Sequence, residues 1–143
     1  MESAVQPVSF ATLLNTGIFS PSPQKTHYSV DKYFLAERLE PYISNILFDE
    51  RWYLTTYPDV AVAIARDRDI NAHGHYVKFG YFENRVPYEI RIDENWYRTN
   101  YRDVEQAVTA RKFPSAQDHF IRVGFLEGRL PYPGFELRTL ATS

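Results

Sequence analysis

The sequence predicts an all-α fold: two stacked repeats of three short helices each, preceded by a helical brace. Two observations predict it. A shift of 44 positions carries Phe48–Tyr88 onto Ile92–Tyr132 without a gap, and a fixed period of that length marks one supersecondary unit used repeatedly. Within each copy the apolar residues recur at helical rather than alternating spacing. The duplicated residues include Asp49, Trp52, Tyr53, Tyr57, Asp59, His75, Gly80, Glu83 and Arg85, which return as Asp93, Trp96, Tyr97, Tyr101, Asp103, His119, Gly124, Glu127 and Arg129.

Residues 1–27 read as a flexible or partner-docking arm. Phe10, Leu13, Leu14, Ile18 and Phe19 make it sticky enough to dock. Ser20-Pro21-Ser22-Pro23 then stops any helix, because each proline lacks a donor and biases its predecessor to extended geometry. Residues 28–47 read as the helical brace, capped by Asp31, with Phe34, Leu35 and Leu39 near one face and Pro41 ending or kinking the helix near Glu40. Brace and repeats form a single helical domain, 28–135, with repeat one at 48–91 and repeat two at 92–135. Residues 136–143 are a tail.

In each repeat the first helix is capped by Asp49 or Asp93, whose carboxylate suits free backbone N–H groups and the positive helix end. Phe48 and Trp52, four apart, are expected to pack together, as are Ile92 and Trp96. The second helix opens at Tyr57-Pro58-Asp59, with proline at a first helical position and the aspartate read as a second cap. Val60, Ala63 and Ile64 form its apolar stripe. Arg102 replaces that proline in repeat two, which predicts a less sharp joint. Arg66-Asp67-Arg68-Asp69 is a solvated connection. Asn71 and Ser115 cap the third helices. Ala72, His75, Tyr76 and Phe79 are their core-facing stripe in repeat one, and Ala116, His119, Phe120 and Val123 in repeat two. Gly80 and Gly124 are expected at left-handed helix ends.

Composition narrows the function classes. The chain has 143 residues, net charge −2, no cysteine, 11 Tyr, 10 Phe and 2 Trp. With no basic stripe, nucleic acid is not expected as a partner; with no long apolar run, no membrane span is expected. Thiol catalysis, disulfides and thiolate metal sites are excluded. The start Met1-Glu2-Ser3 is unlike a secretory signal, so the default compartment is cytoplasmic, with the cell surface or a particle reached by a non-signal route as the alternative.

His75 and His119 read as buried structural groups whose ring N–H reaches a carbonyl or carboxylate. No second metal ligand accompanies either at a usable spacing, so no metal and no cofactor are expected. Glu83 before Arg85, and Glu127 before Arg129, suit a turn locked by charge-assisted hydrogen bonds. Trp52, Tyr53, Trp96 and Tyr97 read as core anchors. The alternative reading is a carbohydrate-binding module in which those four rings and Arg85 and Arg129 contact sugar. No catalytic residue is assigned, because every prominent polar residue occurs in both copies, as scaffold parts do.

The string Phe48-Asp49-x-x-Trp52-Tyr53, Tyr57-Pro58-Asp59-Val60, His75-Tyr76, Gly80, Glu83, Arg85, Pro87 resembles a small bacterial tandem helical repeat. That repeat is an accessory segment beside glycosyltransferase and sulfotransferase domains. The resemblance covers about residues 48–132. Asn84 stands where its pattern has glycine, which Gly128 keeps. It implies a non-catalytic adaptor or structural subunit that binds another protein or itself, linked to cell-surface polysaccharide.

Overall fold

The computed structural model describes residues 9–24 and 27–135. The chain is mostly helical and divides into two compact units, 1–45 and 46–143.

The first unit holds helix α1 (Phe10–Asn15), strands β1 (Phe19–Pro21) and β2 (Tyr28–Val30), and helix α2 (Lys32–Ser44). The hairpin departs from an all-α reading and shortens the helix expected from residue 28. Its cause is legible afterwards: prolines 21 and 23 forbid helix, and the extended backbone they impose pairs with the next stretch. Phe19 lies opposite Val30 and Pro21 opposite Tyr28. The Asp31 N–H donates to Ile18 O at 2.7 Å and the Ser22 N–H to His27 O at 2.9 Å. Asp31 caps α2 as expected, accepting from the Phe34 N–H at 2.9 Å. Pro41 does not end α2, which runs on to Ser44. Phe19 meets Phe34 edge-on at 5.6 Å.

The second unit contains both copies of the repeat. Repeat one is α3 (Glu50–Thr56), α4 (Pro58–Arg66) and α5 (Ala72–His75); repeat two is α6 (Glu94–Asn100), α7 (Arg102–Thr109) and α8 (Ala116–His119). α5 and α8 each run on as a wider π-helical turn, Tyr76–Gly80 and Phe120–Gly124. There the Tyr81 N–H donates to Tyr76 O at 2.9 Å and the Phe125 N–H to Phe120 O at 2.8 Å. The four caps read from sequence are present, on Asp49, Asn71, Asp93 and Ser115. The joint before the second helix is the same in both copies: Tyr57 sits at φ −122°, ψ 77° and Tyr101 at φ −119°, ψ 86°. Arg102 therefore does not relax it.

The π turns change which residues face inward. The extra residue per turn brings Tyr76, Val77 and Gly80 into the core and leaves Phe79 49% exposed. Phe79 was expected to be buried at helical spacing; the local pitch, not its hydrophobicity, decides otherwise. Gly80 and Gly124 are also not left-handed. The left-handed ends fall four residues later, at Asn84 (φ 59°) and Gly128 (φ 69°). In repeat one the Asn84 N–H donates to Tyr81 O and the Arg85 N–H to Gly80 O, the paired bonds of a Schellman turn.

Tyr53, Val60, Tyr97, Val104 and Ala116 have no exposed surface. Val86 and Ile90, from the exit of repeat one, share a buried cluster with Tyr97, Val104, Ala116 and Phe120 of repeat two. Gln117 ties that exit down, donating to Ile90 O at 2.9 Å and accepting from the Ile92 N–H at 3.0 Å. Burying each of the valine, isoleucine and phenylalanine side chains among them contributes roughly 1.5–3 kcal/mol.

Candidate functional site

The polar residues that sequence singles out meet at two equivalent places, one per repeat. In repeat one the exit segment after the π turn returns to the start of the repeat, where the Asp49 N–H donates to Pro87 O at 3.1 Å. That return carries Arg85 over α4. Its Nε donates to Glu83 Oε2 at 2.7 Å, and Nη1 and Nη2 donate to the two oxygens of Asp59 at 3.0 and 2.7 Å. The guanidinium lies 4.9 Å above the Tyr57 ring. Tyr57 Oη in turn accepts from the Val86 N–H at 2.8 Å.

Repeat two copies every contact. The Asp93 N–H donates to Pro131 O at 2.9 Å. Arg129 donates to Glu127 at 2.6 Å and to Asp103 at 2.9 and 2.7 Å, 4.9 Å above Tyr101. Tyr101 Oη accepts from the Leu130 N–H at 2.9 Å. A planar fork answered by a carboxylate, with a second carboxylate on Nε, is the geometry in which arginine binds most tightly. The hydrogen bonds from arginine hold Asp59 and Asp103 below the ordinary carboxylate value, and those to Asp59 and Asp103 raise Arg85 and Arg129.

This corrects the reading of Asp59 and Asp103 as caps. Neither α4 nor α7 has a side-chain cap bond; both aspartates are taken by an arginine 26 residues away. Sequence pairs Glu83 with Arg85 by proximity, but only the fold brings in Asp59.

Beneath each arginine lies a Tyr–His pair. Tyr53 Oη is 3.2 Å from His75 Nδ1, and Tyr97 Oη 3.2 Å from His119 Nδ1. The histidine partner is thus a tyrosine hydroxyl, not the carbonyl or carboxylate expected. Burial pushes both phenols up, and burial followed by the nearby arginine pushes both imidazoles down. The neutral form of each member is favoured, and one hydrogen bond joins them. Gly80 and Gly124 make the pair fit: a Cβ at either would run into the hydroxyl of Tyr53 or Tyr97. Close approach is why these positions are glycine.

The remaining expectations for Trp52, Tyr53, Arg85, Trp96, Tyr97 and Arg129 sort by burial. Tyr53 and Tyr97 are 0% exposed and offer a ligand no face. Trp52 and Trp96 are half-buried against the core cluster; Trp52 meets Tyr57 edge-on at 6.4 Å and Trp96 meets Tyr101 at 6.1 Å. Phe48 packs with Tyr53 at 5.0 Å. Arg85 and Arg129 are 20% and 18% exposed in their side chains. Of the docking residues, Leu14, Ile18 and Phe19 are partly buried; the side chains of Phe10 and Leu13 lie outside the described residues. Among the described residues no group of three or more metal-ligating side chains gathers, and no helix is long and apolar enough to cross a membrane.

Fold and site together define a mostly helical chain whose second unit repeats one arginine-centred fastening. No known family, curated protein or solved structure matches it.

Proposed function

We propose that the two repeats stack as a non-catalytic adaptor or structural subunit that binds another protein or itself, in an assembly linked to cell-surface polysaccharide. One observation carries this reading. In both copies the groups with chemical potential are already engaged with one another, atom for atom: two carboxylates on each arginine and one hydroxyl on each imidazole. Carboxylates clasped by arginine and an imidazole bonded to a buried phenol suit holding the repeat together better than passing a proton to a substrate. A tandem scaffold needs each unit to hold its own shape before it presents a surface.

Two measurements test it. Tryptophan fluorescence of the full chain, titrated with neutral and anionic polysaccharides, is expected to stay unchanged, since Trp52 and Trp96 pack against the core. A saturable shift favours the carbohydrate-binding module instead. Removing residues 1–27 is expected to weaken capture of partner or self while leaving the helical signal of residues 46–135. Unchanged assembly after truncation removes the role assigned to the arm.

A further inference from the structure

Because the repeats match so closely, each serves as a control for the other, and one surface fails to match. On α4 the residues facing the core are Val60 and Ile64; repeat two has Val104 and Val108 there. Off that stripe, Pro58, Ala61, Val62 and Ala65 are all exposed, with Val62 at 52%. Their equivalents on α7 are Arg102, Glu105, Gln106 and Thr109. The change extends to the neighbouring helix. Leu54 of α3 stands where α6 has Arg98, which is paired with Glu105 and reaches Glu94 at 3.3 Å. The same framework therefore carries a polar, ion-paired face in repeat two and an apolar face in repeat one. Folding of the repeat does not require the apolar version.

The charges at the ends of this face select its occupant. Asp59, 63% exposed in its side chain, stands at the start of α4 and shares Arg85 with Glu83, a cluster with one net negative charge, and Arg66 stands exposed at the end of α4. They are seven residues apart, so they lie on one side of the helix. Arg66 has no salt bridge among the described residues. Turn a second α4 antiparallel against the first, and each Asp59 faces the other's Arg66 while Val62 meets Val62 near the axis. A surface that is acidic at one end, basic at the other and apolar between is complementary to itself under two-fold rotation.

We propose that the outer face of α4, with Leu54, is the contact between two copies of this chain, packed antiparallel about Val62. This deepens the adaptor reading and rests on it. The helix is nine residues long, about 13 Å at ~1.5 Å per residue, so its face falls short of the roughly 800 Å² per partner of a standard interface. Association in the micromolar range is expected.

The test uses the full chain in sedimentation equilibrium across a concentration series. A monomer–dimer equilibrium is expected. The variant L54R/A61E/V62Q/A65T installs the residues that repeat two already carries, so its helical signal and unfolding midpoint are expected to hold while dimer affinity drops at least tenfold. The chain has no cysteine, so V62C gives a single probe: copper-phenanthroline oxidation is expected to join two copies through residue 62 much faster than Q106C joins them through the matching position of repeat two. A chain that stays monomeric at the highest concentration overturns the proposal, as does an unaltered dimer in the fourfold variant. Equal cross-linking rates for V62C and Q106C do the same. A monomer whose V62C is protected from thiol reagents by residues 1–45 overturns it in favour of an intramolecular cover. None of these results touches the adaptor reading, which partner capture tests separately.

Discussion

In repeat two the loop after α7 carries Phe113 over His119; in repeat one the same stretch is charged and leaves His75 half open. The two histidines have equivalent tyrosine partners at the same distance, so the difference lies in what covers the ring: the loop, and Phe79 where repeat two has Val123. α7 ends in a Schellman turn: Arg111 takes φ 57°, its N–H donates to Val108 O at 3.0 Å, and the Lys112 N–H donates to Ala107 O at 2.9 Å. That turn delivers Phe113 edge-on to His119 at 4.8 Å, and the imidazole is left 4% exposed. α4 instead runs out into extended Asp67, whose carboxylate accepts from the Asp69 N–H at 3.0 Å. Asp69 occupies the position of Phe113 and stays in water. His75 meets Phe79 of its own π turn at 5.5 Å. One scaffold thus tolerates a sealed and an open histidine, because the Tyr–His bond and the arginine fastening do not depend on the loop.

The largest way to break this equivalence is at the glycines. Gly80→Ala and Gly124→Ala each force a buried tyrosine hydroxyl away from its histidine. Overpacking and the lost hydrogen bond together are expected to cost about 2–4 kcal/mol in either repeat. Denaturant unfolding measures it. A tolerated substitution in one repeat only means that the two pairs are not built alike.

The arginine fastening comes next. Arg85→Lys and Arg129→Lys keep the charge but lose the fork and the flat contact on tyrosine. A loss of about 1–2 kcal/mol each is expected, discounted for the exposed aspartates. Equal losses fit the matched geometry; a neutral result at either shows that carboxylate to be solvated rather than clasped.

The histidines give a pH signature. Their folded-state values are lowered, so the native state favours the neutral ring and the unfolded chain binds the proton more readily. Their contribution is present above about 6.5 and is lost as pH falls below it, through the folded values. Asp59 and Asp103, lowered from 3.8, lose theirs only in the more acidic range below that value. Melting midpoints are expected to fall in two stages, and His75→Gln with His119→Gln should flatten the first. In NMR titration, Phe113→Ala should raise the His119 midpoint towards the ordinary value while His75 stays put. If His119 does not move, the loop is not what seals it.

The smallest effect is at the left-handed turn. Asn84→Gly removes the Cβ from a positive φ and is expected to gain about 0.5 kcal/mol. Gly128→Asn should lose a similar amount by φ alone, since nothing lies within 4 Å of an added Cβ. Differential scanning calorimetry resolves both.

The sequence by itself determined the two copies, the four helix caps within them and the Glu–Arg turn lock. Each depends on residues close along the chain or on their recurrence. Recurrence also marked His75 and His119 as equivalent residues, and both bond to the equivalent tyrosine. Only the tertiary structure decided that Asp59 and Asp103 belong to arginine rather than to a helix start, because the partners are 26 residues apart. It also decided that Gly80 and Gly124 are glycine for want of space, since the hydroxyl that needs the room comes from a different helix. The exposure of Phe79 followed from a widened turn, which shifts the inward face without leaving a mark in hydrophobic spacing. The pairing of β1 with β2 is illegible in the sequence for a similar reason. Its strands are three residues each, and pairing between so short a pair is chosen by the backbone geometry that two prolines impose, not by an alternating pattern long enough to read.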